Sequence, residues 1–381
     1  MKIRLPTPAR PIRVLLWLLA LLAAGCGQAQ PAAVPSSVPL SPSAAVPSSV
    51  PISPSEGERY WPTDGWRTSP PEAQGMDPQQ LAGLLQVIQQ EHLNLHSLLI
   101  IRNGYIVSES YFQSYTEQTP HELYSVTKSV VATLVGIAID KRSIDDVNQP
   151  LGGFFPNYIF QHPDERKDAI RLEHVLTMRT GLDWQEQDST FRQMYQSRDW
   201  VQFMLNLPMR EPPGQQFRYC SGCSHLLSAI VQQRTGMNTR DFAQQTLFDP
   251  LGIDGVTWEQ DRQGTPIGGW GLQLTPRDMA KLGYLYLHDG MWDGQQVVSA
   301  AWVKAAIQQH TETDSELGLG YGYQWWTHPR LSAYAALGRD GQTIFVVPDL
   351  QLVIVTTAEM DGHEAIFKLI EQYILPAVRT T

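Results

Sequence analysis

Tyr124-Ser125-Val126-Thr127-Lys128 opens the run whose reading decides the fold. From Ser125 to Asp140 the chain carries Val130, Val131, Leu134, Val135, Ile137 and Ala138, with Gly136 the only glycine and no proline. Apolar residues this dense, over a length that outruns an ordinary strand, predict a helix buried in a large core. Positions i and i+3 of a helix share a face, so Lys128 stands one turn above Ser125. The backbone N–H groups of that first turn have no intrahelical partner and point at whatever binds there. A nucleophile, a potential base and a row of donors suit acyl transfer.

A serine hydroxyl is a weak nucleophile near neutral pH and needs a base beside it. Lys128 can serve only as the free amine. Two effects favour that form: burial against apolar neighbours, and the positive end of the helix dipole. Ser-x-x-Lys also arises by chance in a chain of this length, so the reading leans on the buried helix and on the rest of the sequence.

The 381 residues are 42% hydrophobic and 17% charged, enough for one large core or two lobes. A formal net charge of −10, with no Lys/Arg-rich run after Arg13, argues against nucleic acid as a partner. The Gly-x-Ser-x-Gly, His-Glu-x-x-His and phosphate-loop patterns are absent from the sequence, and neither a metal nor a cofactor is expected. Residues 1–26 read as an export signal: Lys2, Arg4, Arg10 and Arg13 precede an apolar stretch, Val14 to Ala24, too short for an ordinary membrane span. The ending Leu22-Ala23-Ala24-Gly25-Cys26 is similar to a bacterial lipoprotein cleavage box, which makes Cys26 the lipidation site and places the protein in the cell envelope, anchored to a membrane. An ordinary signal peptide with an incidental cysteine is the alternative. Residues 27–59 form a tether in which Ala32–Ser43 recurs as Ala44–Ser55 with Leu40 changed to Ile52. Proline every few residues favours extended polyproline II and excludes a packed core. Cys220 and Cys223 are then the two remaining cysteines, and outside the cytoplasm a disulfide is the simplest reading. A zinc half-site with His225 would lack its second ligand pair.

The folded domain is expected over residues 60–381. Asp77-Pro78 starts a helix with Leu81, Leu84, Leu85 and Ile88 on one side. His96–Arg102 and Tyr105–Tyr111 flank Asn103-Gly104 as a hairpin, and Gln342–Val347 and Gln351–Thr357 flank Pro348-Asp349-Leu350 as another. A last helix runs from Glu364 to Ala377. Between the hairpins the pattern is helical and loop-rich, over 125–141, 171–179, 198–206, 223–235, 239–247, 275–287 and 299–309. The expectation is an α+β fold: one antiparallel sheet flanked by helices and built from both chain ends, with a mostly helical lobe inserted and the site in the crevice between.

Four stretches in order carry a resemblance: Tyr124–Ser129; Ile170–Leu182, with Thr177-Met178-Arg179-Thr180-Gly181-Leu182 at its end; Pro213–Ser221, containing Tyr219; and Gly271–Met279, which opens a helix. Residues 60–380 resemble the serine β-lactamase and penicillin-recognising superfamily, in the class C-like branch that includes family VIII esterases and 6-aminohexanoate-dimer hydrolases. The resemblance implies Ser125 as nucleophile, Lys128 as base and Tyr219 in proton transfer to and from nucleophile and leaving group. The third box departs from the pattern. Ala336-Leu337-Gly338-Arg339-Asp340-Gly341-Gln342 has no lysine, and Asp340 stands where glycine is common. The N–H groups of Ser125 and Arg339 would form the oxyanion hole, flanked by Gly338, Asp340 and Gly341, which leaves recognition of a substrate carboxylate in question. Of the aromatics Trp270, Tyr321, Tyr323, Trp325 and Trp326, most should pack in the core, and one or two, Trp270 among them, should line the pocket.

The expected function is a membrane-tethered serine hydrolase acting through an acyl-enzyme on small esters, amides or peptide-like molecules. The alternatives are a β-lactamase or D-alanyl-D-alanine carboxypeptidase, and a sensor or wall-binding lipoprotein that is acylated without turnover.

Overall fold

The computed structural model describes residues 60–159, 163–186 and 188–379. The expected signal segment and tether, with Cys26, lie outside the described residues.

Helix α1 (Pro78–Gln90) starts where the sequence places it: Asp77 accepts from the N–H of Gln79 and Pro78 takes the first helical position. Strands β1 (Leu95–Arg102) and β2 (Tyr105–Tyr111) follow as the expected hairpin. Helix α2 (Val126–Asp140) comes next, then short helices at Leu172–Leu176 and α3 (Ser189–Gln196), α4 (Trp200–Asn206) and α5 (Ser221–Thr235). Helices α6 (Pro276–Leu287) and α7 (Ala300–Ile307) lead into β3 (Thr311–Glu312), β4 (Gly320–Tyr321), β5 (Trp326–His328), β6 (Ala333–Gly338), β7 (Gln342–Val347) and β8 (Leu352–Ala358). The chain closes with helix α8 (Glu364–Leu369), extended by a wider turn through Ile370–Ile374.

The eight strands make one antiparallel sheet in the order β2-β1-β8-β7-β6-β5-β4-β3. The first long strand pairs with the last, Ser97 opposite Thr357, and their hydroxyls meet at 2.7 Å. Period-two alternation divides each central strand between two cores. Leu98 and Ile100 of β1 join α1 and the closing helix on one face, with Leu84, Ile88, Ile366 and Ile370. Leu99 and Ile101 join α2, α6 and the helical lobe on the other. Both faces are covered, which explains why these strands read as continuous apolar runs.

Helix α2 is buried from Val126 to Ala138, and each fully buried Val, Leu or Ile side chain contributes roughly 1.5–3 kcal/mol. Gly136 is what lets α7 approach, since a Cβ there would lie 2.4 Å from the Trp302 ring. A small sheet (His121–Glu122, Leu272–Leu274 and Thr257–Trp258) ties the entry of α2 to the segment before α6, with Leu123 N–H bonded to the Leu272 carbonyl at 2.8 Å. Among the described residues no helix is long and apolar enough to cross a membrane.

Candidate active site

Tyr124 turns the chain from the small sheet into α2 with φ of 45°, a left-handed conformation rare for a bulky residue and found where a fold fixes a functional group. Ser125 follows at the N-cap, half-buried, at the open end of the helix. Lys128 lies in the first turn, 1% exposed, its Nζ 2.9 Å from Ser125 Oγ and 2.7 Å from the carbonyl oxygen of Gly269. Burial lowers the Lys128 pKa to about 8; Glu186 opposes the shift and Arg339 adds to it. A free amine held this way uses one N–H on the Gly269 carbonyl and turns its lone pair to the serine hydroxyl. That is the arrangement a general base needs.

Tyr219 lies before α5, its ring centroid 4.9 Å from Lys128 Nζ, and stacks on Trp326 at 5.9 Å. Burial pushes its pKa up, Glu186 adds to this, and a hydrogen bond with Ser125 works the other way. The phenol is therefore neutral where Lys128 titrates, a proton donor more than a phenolate base. Burial penalises an anion at Tyr219 and a cation at Lys128 alike.

Cys220 and Cys223 are joined by a disulfide, both buried, in the first turn of α5 beside Tyr219. Helix α5 begins at Ser221, two residues earlier than the apolar pattern indicates, because its first turn is tied to Glu186. The carboxylate of Glu186 accepts from Ser221 N–H at 2.8 Å and Trp184 Nε1 at 2.7 Å, and from the Ser221 hydroxyl. Glu186 influences both Lys128 and Tyr219, and no local pattern in the sequence marks it. Gly269 acts through its carbonyl and was equally hidden; only the Gly268-Gly269-Trp270-Gly271 run hints at a tight segment.

Strand β6 brings the third box. Strand β5 pairs with Ala333–Ala335 only, so Ala336–Gly338 present an open edge on that side. Gly338 is required there, since a Cβ would come 2.2 Å from the carbonyl of Leu123, two residues before Ser125. Arg339, Asp340 and Gly341 form the turn to β7, with Asp340 at φ 63° and Gly341 at φ 93°. Asp340 thus adopts the left-handed geometry that glycine usually supplies. Its side chain bonds Tyr124, and the Arg339 guanidinium lies 5.6 Å from the centre of the Tyr124 ring. Burial, then Glu259, raises the Glu122 carboxyl pKa, with Arg339 and Asp340 near enough to contribute. This end of the crevice is crowded with carboxylates. Trp270 is half-buried against Phe191 at 5.2 Å and Trp200 at 5.6 Å, next to Gly269, while Tyr321, Tyr323 and Trp325 are core residues. Trp326 joins the site by stacking on Tyr219.

The fold and this cluster define a protein with a serine and a lysine at the head of a buried helix, a tyrosine opposite and a strand edge beside them. The Beta-lactamase family model matches residues 72–377, and the chain belongs to that family. It is a serine hydrolase. A 6-aminohexanoate-dimer hydrolase of Paenarthrobacter ureafaciens is 26% identical over 284 residues, 68% of this chain and 71% of that protein. A Bacillus anthracis structure described as a candidate 6-aminohexanoate-dimer hydrolase superposes with a TM-score of 0.67 at 19% identity, covering 82% of this chain and 86% of its own. EstCE1, described as a hydrolase with promiscuous acyltransferase activity, superposes with a TM-score of 0.64 at 16% identity, covering 79% and 98%.

Proposed function

We propose that the protein hydrolyses small neutral esters or amides through an acyl-enzyme on Ser125, and that lipid on Cys26 holds it at a membrane of the cell envelope. The observation that carries the chemistry is the 2.9 Å contact between Ser125 Oγ and the buried Nζ of Lys128, where burial lowers the amine's pKa to about 8. Lys128 takes the hydroxyl proton as Ser125 Oγ attacks the carbonyl carbon. The N–H groups of Ser125 and Arg339 receive the oxyanion; as the intermediate collapses, Tyr219 gives its proton to the leaving alkoxide or amine and recovers the one Lys128 took from Ser125. A water then attacks the acyl carbon, giving a proton to the Lys128 amine, and Lys128 returns it to Ser125 Oγ as the acyl–oxygen bond breaks, releasing the acid and restoring the serine. The signal-like residues 1–26 and the proline-rich 27–59 support the anchored location.

Arg339 favours a second reading, a β-lactamase or D-alanyl-D-alanine carboxypeptidase, because it is the cation nearest the open strand edge and could meet a substrate carboxylate. A fluorophosphonate label on wild type and Ser125→Ala, followed by turnover of p-nitrophenyl esters, short amides and nitrocefin, tests both. Labelling and turnover should vanish together in Ser125→Ala. A retained turnover would refute the acyl-enzyme, and one acylation equivalent without turnover would indicate a sensor.

A further inference from the structure

Asp261 and His225 form a buried pair that the chemistry above does not use. His225, on α5, has its Nε2 3.2 Å from Asp261 Oδ2, with both side chains at most 1% exposed. Asp261 Oδ1 accepts from the N–H groups of Gln263 and Thr265, each at 2.9 Å. Burial raises the Asp261 pKa, but the bonds from His225 and Thr265 outweigh it and hold the carboxyl below its ordinary value. On the other side of the ring, Gly268 N–H points at His225 Nδ1, 3.5 Å away. With Nδ1 as acceptor, the ring proton sits on Nε2, where Asp261 receives it.

The next residue is Gly269, whose carbonyl holds Lys128 Nζ. The segment has little freedom around that carbonyl. Ser228 Oγ donates to the Pro266 carbonyl at 2.6 Å and Trp258 Nε1 to that of Ile267 at 2.9 Å. A Cβ at Gly268 would lie 2.0 Å from the Ser224 carbonyl, and one at Gly269 3.1 Å from Ser221. The segment thus lies directly on the first turns of α5.

We propose that Asp261 and His225 are positioning residues for the base: Asp261 fixes the His225 tautomer, His225 Nδ1 fixes the Gly268 N–H, and the Gly269 carbonyl so placed aims the Lys128 lone pair at Ser125. This rests on the reading of Lys128 as base and goes beyond it by naming what sets the amine's direction. A carboxylate that holds the tautomer of a working imidazole is a recurrent device, and misplacing a reacting group by about 1 Å costs on the order of 100-fold in rate. Here the imidazole works on the backbone rather than on the substrate.

Asp261→Asn keeps the shape and the backbone acceptor but turns an N–H toward Nε2, so the ring can pair with it only by moving its proton to Nδ1, against the Gly268 N–H. The expected result is a kcat for p-nitrophenyl acetate lowered by roughly 10-fold to 100-fold with KM little changed. A second pair of variants separates positioning from stability. His225→Asn places an acceptor near the Nδ1 position for Gly268 but leaves the Asp261 carboxylate without its ring partner. His225→Gln reaches Asp261 but leaves the Gly268 N–H without an acceptor. Positioning requires opposite rankings: His225→Asn melts lower yet turns over faster than His225→Gln. If kcat follows melting temperature in that pair, or if Asp261→Asn has wild-type kcat, the proposal is wrong. Should Asp261→Asn misfold, the His225 pair decides alone. Ser125→Ala is assayed alongside: an active Ser125→Ala defeats the base-and-nucleophile reading itself, whereas an inactive one beside a fully active Asp261→Asn defeats only the positioning role.

Discussion

At the scale of the residue, burial denies charge to two groups of the candidate site that would carry or could acquire it. Lys128 has water on almost none of its surface and Tyr219 is half-buried beside it, so the amine loses its proton early and the phenol late. The base form of Lys128 grows as pH rises through about 8. kcat/KM for a neutral ester should therefore climb from pH 6 to pH 9, with its acidic limb near 8. Lys128→Ala should lower acylation by roughly 100-fold to 10,000-fold and erase that limb. A limb that persists unchanged in Lys128→Ala would assign it to another group. Tyr219→Phe should slow reactions with poor leaving groups more than with p-nitrophenolate, which needs little protonation. Equal losses across leaving groups would remove the donor role. That Ser125 and Lys128 stand together was legible from their spacing, and Tyr219 beside them from the resemblance of its stretch. Glu186 and the Gly269 carbonyl were not, because they act from segments that only the fold brings near.

At the scale of the element, α2 shows how packing overrides local propensity. Gly136 in a helix interior costs up to about 1 kcal/mol relative to alanine. Propensity alone would make Gly136→Ala stabilising. The Trp302 ring occupies the space of the new methyl at 2.4 Å, and such overpacking typically costs about 1–3 kcal/mol. Gly136→Ala should therefore lower the melting temperature, and a raised one would show that α7 yields freely. Helix α5 gives a second case. The Cys220–Cys223 link closes a loop too short for much chain-entropy stabilisation, so its effect should be local. Cys220→Ser with Cys223→Ser should change the melting temperature little while lowering kcat through Tyr219. A large melting shift with unchanged kcat would reverse that assignment. The hairpins and α1, α2 and α6 were readable because turn residues, caps and period all agreed. Helix α3 was not, since it is mostly polar with Met194 alone buried, nor were the short strands β4 and β5, since two or three residues hold too little pattern and their pairing partners fix them.

At the scale of the whole molecule, the chain ends meet in one sheet and the helical middle returns over one face. That topology brings Glu122, Glu259 and Asp340 together near the third box, with Arg339 among them. An anionic substrate meets carboxylates there, while a neutral ester needs only the oxyanion donors and an apolar wall. kcat/KM for short p-nitrophenyl esters should exceed that for nitrocefin by at least roughly tenfold, about 1.4 kcal/mol in transition-state binding. Nitrocefin turnover that matches the esters and is lost in Arg339→Ala would show that Arg339 binds carboxylates. By itself the sequence determined the buried helix, the Ser125–Lys128 spacing, the terminal hairpins and the family, because each depends on neighbours a few residues apart or on motifs in a fixed order. Tertiary structure alone decided which carbonyl holds Lys128, which carboxylate bears on Tyr219, and that a histidine and an aspartate on different segments meet beside Gly268. Those contacts join residues far apart in the chain, and their strength depends on exclusion from water, which no local stretch of sequence specifies.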